Sequence, residues 1–146
     1  MTIKVYNDAE TEAVGKELAN KLSSRGIERA FIAMRGEMGV GKTVFTRGFA
    51  SHFGICGVKS PTYTIVNEYR SSNGVRIFHF DLYRISDADD LISIGYDDYV
   101  RAKGYCIAEW SERAEEELPR ETIYVTISRT TNAERERIIE ITGFEY

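Results

Sequence analysis

An eight-residue segment, GEMGVGKT at positions 36–43, constrains this chain more than any other feature. It matches the pattern G-x-x-x-x-G-K-[S/T] at every fixed position. Glycines allow the backbone to curl until successive N–H groups point at phosphate oxygens. The lysine places a cation on the β- and γ-phosphates, and the threonine hydroxyl is a hard oxygen ligand for Mg²⁺. The segment therefore predicts the phosphate-binding loop of a nucleotide site.

The residues on either side of this phosphate loop predict the strand before it and the helix after it that the motif requires. A continuous apolar run, Phe31-Ile-Ala-Met34, precedes it and is typical of a strand buried on both faces. Phe45, Phe49 and Phe53 follow at a spacing of four, which predicts an amphipathic helix. A helix that begins at Lys42 aims the positive end of its dipole at the same phosphate.

The rest of the chain alternates helical and strand-like patterns. The turn sequence SSNG at 71–74 joins two strand-like stretches into an antiparallel hairpin. We predict an α/β fold, a P-loop NTPase-like domain whose mixed sheet has a parallel core and antiparallel additions. The predicted elements are a strand over 3–6, a helix capped by Asn7 or Asp8 and ending near Gly26, strands over 63–69 and 75–82, a helix over 87–93, a strand over 105–108, a helix over 111–118 capped by Ser111, and an antiparallel ribbon through Ile123, Val125, Ile127, Ile139 and Ile141.

Length and composition exclude several classes of protein. A chain of 146 residues predicts one domain over 1–146, and 42% hydrophobic residues exclude wholesale disorder. No apolar run approaches the ~20 residues of a membrane helix, so we expect no membrane association and a cytoplasmic protein. Two cysteines and two histidines disfavour a structural zinc site, and we predict that Cys56 and Cys106 are small core residues. A net charge of −4 disfavours autonomous binding to nucleic acid.

A P-loop site also needs a carboxylate at the end of a neighbouring strand, which holds Mg²⁺ or orients the attacking water. Asp81 and Glu109 each end a predicted strand. Strand alternation places Asp81 on the same face as His79. The more apolar run before Glu109 predicts a central strand, nearer the phosphate loop. These patterns predict that both carboxylates belong to the site. They do not show which one holds Mg²⁺ and which one orients the attacking water.

Two further features have a functional and a purely structural interpretation. Pro61 pins the turn at 60–63, which either presents Thr62 to a γ-phosphate or only leads into a strand. Trp110 follows Glu109 and is either an interaction surface or a packing residue.

Four blocks of sequence, taken in this order, resemble the TsaE (YjeE) family. They are the phosphate loop, KSPTYT at 59–64, HFDLYR at 79–84 and the pair Glu109-Trp110. The resemblance covers nearly the whole chain, and the blocks are more specific together than the loop alone. It implies a P-loop α/β domain with a mixed sheet. Ser111 stands where the family often has proline, a departure that touches only the start of a helix.

The resemblance also implies a set of site residues. Thr43 and Glu109 would hold Mg²⁺, and Asp81 would lie at the γ-phosphate or its water. Lys42, Asp81 and Glu109 would be the catalytic residues, and residues 60–62 would act as a switch. The residues that would bind ATP or ADP are Thr11, Gly36, Glu37, Met38, Gly39, Val40, Gly41, Lys42, Thr43, Thr62, Asp81 and Ala133.

The activity implied by the resemblance is that of an ATPase subunit in the synthesis of tRNA threonylcarbamoyladenosine. Its partners would be TsaD, which transfers the threonylcarbamoyl group, and TsaB, the companion of TsaD. This chain would hydrolyse ATP slowly, reset the TsaB–TsaD assembly between turnovers, and meet tRNA only through that assembly.

Other classes of P-loop protein remain as alternatives. A small-molecule kinase needs an acceptor pocket and a mobile lid with arginines, and the arginine-dense stretch 129–137 falls in the predicted terminal ribbon, a poor place for a lid. A GTPase generally carries Asn-Lys-x-Asp, whereas Asn20-Lys21 is followed by Leu22 and Ser23. A scaffold with a structural nucleotide would bind ATP without turnover.

Overall fold

The computed structural model describes residues 1–60 and 65–146, and its strands form one seven-stranded sheet. The strands are β1 (Thr2–Val5), β2 (Arg29–Arg35), β3 (Val66–Arg70), β4 (Arg76–Asp81), β5 (Gly104–Glu109), β6 (Ile123–Arg129) and β7 (Arg137–Thr142). The helices are α1 (Asp8–Ser24), α2 (Lys42–Ser51), α3 (Ala88–Ser93) and α4 (Tyr96–Arg101), with 3₁₀ turns over Ser111–Glu117. No helix in the described ranges is long and apolar enough to cross a bilayer.

The sheet has a parallel core with antiparallel strands at both edges, as predicted. Its order is β1-β7-β6-β2-β5-β4-β3. Strands β6, β2, β5 and β4 run parallel, whereas β1, β7 and β3 each pair antiparallel with a neighbour. The predicted ribbon of β6 and β7 and the hairpin of β3 and β4 both form. This arrangement confirms the α/β fold class with a mixed sheet.

The prediction of a terminal ribbon was incomplete, because β6 pairs not only with β7 but also with β2 of the parallel core. It pairs with β2 in the register Ile32↔Ile123 and Met34↔Val125. Alternating apolar residues predict a strand with one buried face, but they do not identify the neighbour with which its backbone pairs.

Both faces of the sheet are covered by helices, which gives three layers. One apolar cluster includes Leu18 of α1, Phe45 of α2 and Ile107 of β5. The second cluster, on the opposite face, includes Phe80 of β4 and Leu91 of α3. Successive residues of the central strands enter opposite clusters, which explains why β2 and β5 are nearly continuous apolar runs.

Helices α1 and α2 cross at unusually close range. A Cβ atom on Gly48 would lie 2.0 Å from the carbonyl oxygen of Glu12, and one on Gly15 would lie 2.2 Å from the carbonyl oxygen of Phe45. Only glycine at these two positions permits such an approach. The side chain of Asn7 caps α1 by accepting a hydrogen bond from the Glu10 N–H at 2.9 Å. The crossing therefore holds the capped start of α1 beside the start of α2.

Three predictions about local structure need correction. Ser111 does not cap a helix, because Trp110 occupies the cap in a left-handed conformation (φ 59°) and Ser111 is buried in the first 3₁₀ turn. Helix α4 was not predicted, although Tyr96, Tyr99 and Val100 have helical spacing. Both cysteines were interpreted as small core residues, but Cys56 is exposed. Of the strand predicted over 63–69, residues 63 and 64 lie outside the described residues.

The helix crossing predicts that Gly48→Ala destabilises the protein. Alanine is the better helix former by about 1 kcal/mol, yet its methyl group would overlap the Glu12 carbonyl. We expect a net loss of about 1–3 kcal/mol in the free energy of unfolding, measured by urea denaturation. Asn20→Ala, at an exposed position of α1, is the control and should leave stability unchanged or raised. A Gly48→Ala variant as stable as the wild type would contradict the close crossing.

The two cysteines should differ in reactivity. Burial raises the pKa of the Cys106 thiol to about 12, so this group stays protonated through neutral and mildly alkaline pH. Iodoacetamide at pH 8 should therefore modify exposed Cys56 and spare Cys106 until denaturant is added, as read by mass spectrometry of tryptic peptides. Rapid labelling of Cys106 in the native protein would show that β5 is not in the core.

Candidate nucleotide site

A cavity of ≈ 1070 Å³ opens at the carboxyl ends of β2, β5 and β4, next to the start of α1. In parallel α/β sheets this edge is where ligands bind. Its volume is just above the roughly 300–1,000 Å³ common for ligand sites. The residues that line this edge cavity are Asn7, Asp8, Ala9, Thr11, Met38, Gly39, Val40, Gly41, Lys42, Thr43, Val44, Ser60, Asp81, Glu109, Trp110, Arg135 and Arg137.

The phosphate loop connects β2 to α2 and forms the floor of the cavity. Gly36 begins it with φ 144°, and a Cβ atom there would lie 2.4 Å from the carbonyl oxygen of Ile127. The loop can therefore leave β2 alongside β6 only if this residue is glycine. Gly41 precedes α2 in the left-handed region, so the first N–H groups of the helix face the cavity. This geometry suits an anion.

Lys42 extends back across the loop rather than into solvent. Its Nζ donates a hydrogen bond to the Gly36 carbonyl at 2.7 Å and lies 4.4 Å from the centroid of the Trp110 ring. The residue is only 6% exposed, so its charge is kept inside the cavity by a carbonyl and an aromatic face. Both contacts leave the ammonium group within reach of a phosphate placed over the loop.

Thr43 presents a hydroxyl at the first turn of α2. Its Oγ1 lies 2.5 Å from the Oγ of Ser60, so two hydroxyl groups meet at the cavity wall. Hydroxyl and carboxylate oxygens are the ligands that Mg²⁺ prefers, and Thr43, Asp81 and Glu109 all line this cavity. The donor set therefore fits a magnesium ion that also binds nucleotide phosphates.

The two carboxylates lie side by side because β4 and β5 pair in the register Asp81↔Glu109. Asp81 Oδ1 accepts a hydrogen bond from the Tyr83 N–H at 3.0 Å. Glu109 is 7% exposed, and its Oε2 lies 2.6 Å from Nε2 of His79, which is completely buried. The sheet thus holds one carboxylate at the surface of the cavity and a second one deeper.

Trp110 has the one positive φ among the described non-glycine residues. An aromatic residue in the left-handed conformation is strained, and such strain concentrates at functional sites. The turn directs the indole ring over Lys42 and against Tyr83, with ring centroids 5.0 Å apart. Trp110 therefore packs against Tyr83 and forms a wall of the cavity, while its role as an interaction surface stays a prediction.

Strand β6 and the loop after it support the other side of the site. Arg129 donates hydrogen bonds to Glu37 at 3.0 Å and to the Met38 carbonyl at 3.3 Å, which ties the phosphate loop to the end of β6. In the following loop, the Thr130 hydroxyl donates to Glu136 and lowers the pKa of that carboxyl. This loop carries Arg135 to the cavity.

The structure brings together most of the predicted site residues. Thr11, Met38, Gly39, Val40, Gly41, Lys42, Thr43, Asp81 and Glu109 all line the cavity. Three predicted residues lie outside its lining: Gly36, whose carbonyl accepts from Lys42; Glu37, which pairs with Arg129; and Ala133, in the loop that carries Arg135. Thr62 lies outside the described residues.

Sequence reasoning missed several lining residues. Arg135 and Arg137 belong to the stretch that was assigned to the terminal ribbon and considered a poor place for a lid, yet both line the cavity. Asn7 was interpreted only as a helix cap, and it also lines the cavity. The high density of arginines in residues 129–137 could have indicated a binding role. The position of this segment, however, depends on the pairing of β6 with β2, which no local pattern predicts.

Known proteins of one family are similar to this chain over most of its length. The model of the family described as threonylcarbamoyl adenosine biosynthesis protein TsaE matches residues 5–139. A protein from Bacillus subtilis (strain 168), named tRNA threonylcarbamoyladenosine biosynthesis protein TsaE, is 36% identical over 145 residues, covering 98% of this chain and 87% of the relative. One of the same name from Haemophilus influenzae is 40% identical over 131 residues, with 88% and 82% covered. A crystal structure of YdiB from Bacillus subtilis superposes with a TM-score of 0.74 at 31% identity, covering 95% and 82% of the two chains.

The contacts of Arg129 predict that Arg129→Ala loosens the phosphate loop. Loss of its bonds to Glu37 and Met38 should speed amide hydrogen exchange at residues 38–41 severalfold. The free energy of unfolding should fall by less than about 1 kcal/mol, because the ion pair is exposed. Arg70→Ala, at the far edge of the sheet, is the control and should leave the loop unchanged. Equal exchange rates in both variants would mean that Arg129 does not anchor the loop.

Proposed function

This chain belongs to the TsaE family of threonylcarbamoyl adenosine biosynthesis proteins, and from this premise we propose that it is a single-domain, Mg²⁺-dependent ATPase that serves tRNA threonylcarbamoyladenosine synthesis. The observation that carries the proposal is the convergence of Lys42, Thr43, Asp81 and Glu109 on one cavity at the phosphate loop. A phosphate loop opposite two strand-end carboxylates is the arrangement that phosphoryl transfer from a nucleoside triphosphate requires.

Each of these residues has a role that its position supports. Loop N–H groups and Lys42 would bind the β- and γ-phosphates. Thr43 and Glu109 would hold Mg²⁺, which when bound neutralises phosphate charge. Asp81 would orient the attacking water from the adjacent strand end. Thr11, at the start of α1, would contact the ribose or base, since it lines the same cavity.

The names of the relatives support a role in tRNA threonylcarbamoyladenosine synthesis. The proteins on which this chain acts are a further part of the proposal. We propose that the chain acts in the cytoplasm on an assembly of TsaB and TsaD, and that TsaD rather than this chain transfers the threonylcarbamoyl group. An acidic chain with one nucleotide cavity at its phosphate loop suits an ATP-driven subunit better than a stand-alone tRNA enzyme. Contact with tRNA would then come through the assembly.

Lys42→Ala should abolish stabilisation by nucleotide. With Mg-ATP a hundredfold above its Kd, the wild type should melt about 5–10 °C higher than without ligand. The variant should show no such shift, because the cation on the β- and γ-phosphates is gone. Lys16→Ala, at an exposed position of α1, is the matched control and should keep the full shift. A normal shift in Lys42→Ala would contradict the assignment of the phosphate loop.

Phosphate release from Mg-ATP tests the proposed activity. We expect slow release by the purified chain and a rise of at least about tenfold when TsaB and TsaD are added, because a partner can supply the group that stabilises developing charge. Glu109→Ala should nearly eliminate release with and without the partners. ATP binding without release under either condition would contradict an ATPase and favour a structural nucleotide.

A further inference from the structure

The buried pair His79–Glu109 is a polar contact of the site that the proposed mechanism does not use. Nε2 of His79 and Oε2 of Glu109 are 2.6 Å apart. The side chain of His79 is fully buried and that of Glu109 is 9% exposed. A contact this short fixes both side chains, because the His79 ring is fully buried and has no water as an alternative partner.

The sheet register places this pair directly behind the cavity. His79 pairs with Ile107 and Asp81 pairs with Glu109, so His79 lies two residue pairs deeper in the sheet than the two carboxylates. Alternation puts the side chains of His79, Asp81 and Glu109 on the face that carries α1 and α2. Glu109 therefore contacts the cavity on one side and His79 on the other.

The donor and acceptor of this bond follow from chemistry. An ionised carboxylate only accepts hydrogen bonds, so Nε2–H of His79 donates to Oε2. The other carboxylate oxygen, Oε1, accepts no hydrogen bond from the described residues. His79 thus engages one oxygen of Glu109 and leaves the second one for a ligand in the cavity.

The remaining nitrogen of the ring shows that this histidine is not explained by packing. Nδ1 is buried and has no hydrogen-bond partner among the described residues. An unsatisfied buried polar atom costs free energy, and an apolar side chain of similar volume would avoid this cost. The presence of an imidazole ring at this position is therefore explained by its hydrogen bond to Glu109.

We propose that His79 is a positioning residue that orients the Glu109 carboxylate for divalent metal. This inference rests on the proposed function, because it presumes that Glu109 holds the metal of a metal–nucleotide complex. A side chain that donates a hydrogen bond to a metal-binding carboxylate fixes its orientation, and loss of such a partner typically weakens metal binding about 10–100-fold. His79 itself touches neither nucleotide nor metal.

Binding of Mn²⁺ to the protein–ADP complex, measured by electron paramagnetic resonance, tests the proposal without reference to turnover. His79→Leu should weaken Mn²⁺ binding about 10–100-fold, while ADP binding without metal stays near that of the wild type. His79→Gln, whose amide can place an N–H near the position of Nε2, should restore most of the affinity. His52→Gln is the matched control, because this histidine contacts Ser23 away from the cavity and should have no effect.

The outcomes separate this inference from the proposed function. Absence of Mn²⁺–ADP binding by the wild type would overturn the proposed function itself. Wild-type affinity in His79→Leu, or an equal loss in His79→Leu and His79→Gln, would overturn the positioning role alone.

A measurement on the native chain covers the case in which His79→Leu does not fold. The Nε2–H proton of His79 should give a downfield signal protected from exchange in ¹H–¹⁵N spectra of the imidazole rings. This signal should shift upfield in Glu109→Gln, since a neutral amide is a weaker acceptor than a carboxylate. No protected signal in the wild type would overturn the proposal.

Discussion

Strand β5 pairs in parallel with β2 on one side and with β4 on the other, and the site depends on this placement. Three consecutive parallel strands end at the same edge, so the phosphate loop after β2, Glu109 at the end of β5 and Asp81 at the end of β4 meet there. Both faces of β5 are buried, which is why its sequence is apolar until Glu109. These two strand pairings thus bring the neighbouring residues Lys42 and Thr43 together with two carboxylates from distant parts of the sequence.

The close crossing of α1 and α2 adds a second constraint, because it brings the start of α1 to the same edge. Within the cavity, the groups that would meet a nucleotide already have protein partners. Lys42 contacts Gly36 and Trp110, Thr43 contacts Ser60, and Glu109 contacts His79. Ligand binding at Lys42 and Thr43 would exchange such contacts for phosphate and metal, whereas the His79 contact can remain. The Glu109 side of the site is therefore organised before any ligand enters.

The sequence predicted those parts of the site that rest on local patterns. The phosphate loop has a fixed spacing, and the apolar run before Glu109 correctly indicated a central strand next to β2. Arg135 was missed because its position follows from the parallel pairing of β6 with β2, a contact between distant segments. The left-handed turn at Trp110 was missed because a non-glycine residue gives no local signal for positive φ.

We propose that one cavity at the carboxyl edge of the sheet holds a metal–nucleotide complex between the phosphate loop and Glu109. A crystal structure with Mn²⁺ and a non-hydrolysable ATP analogue tests it most directly, because Mn²⁺ can be located by anomalous scattering. The account predicts one anomalous peak beside Thr43 Oγ1, on the side of Glu109, with the phosphates over the loop. Phosphates bound elsewhere, or a metal peak away from Thr43, would contradict it.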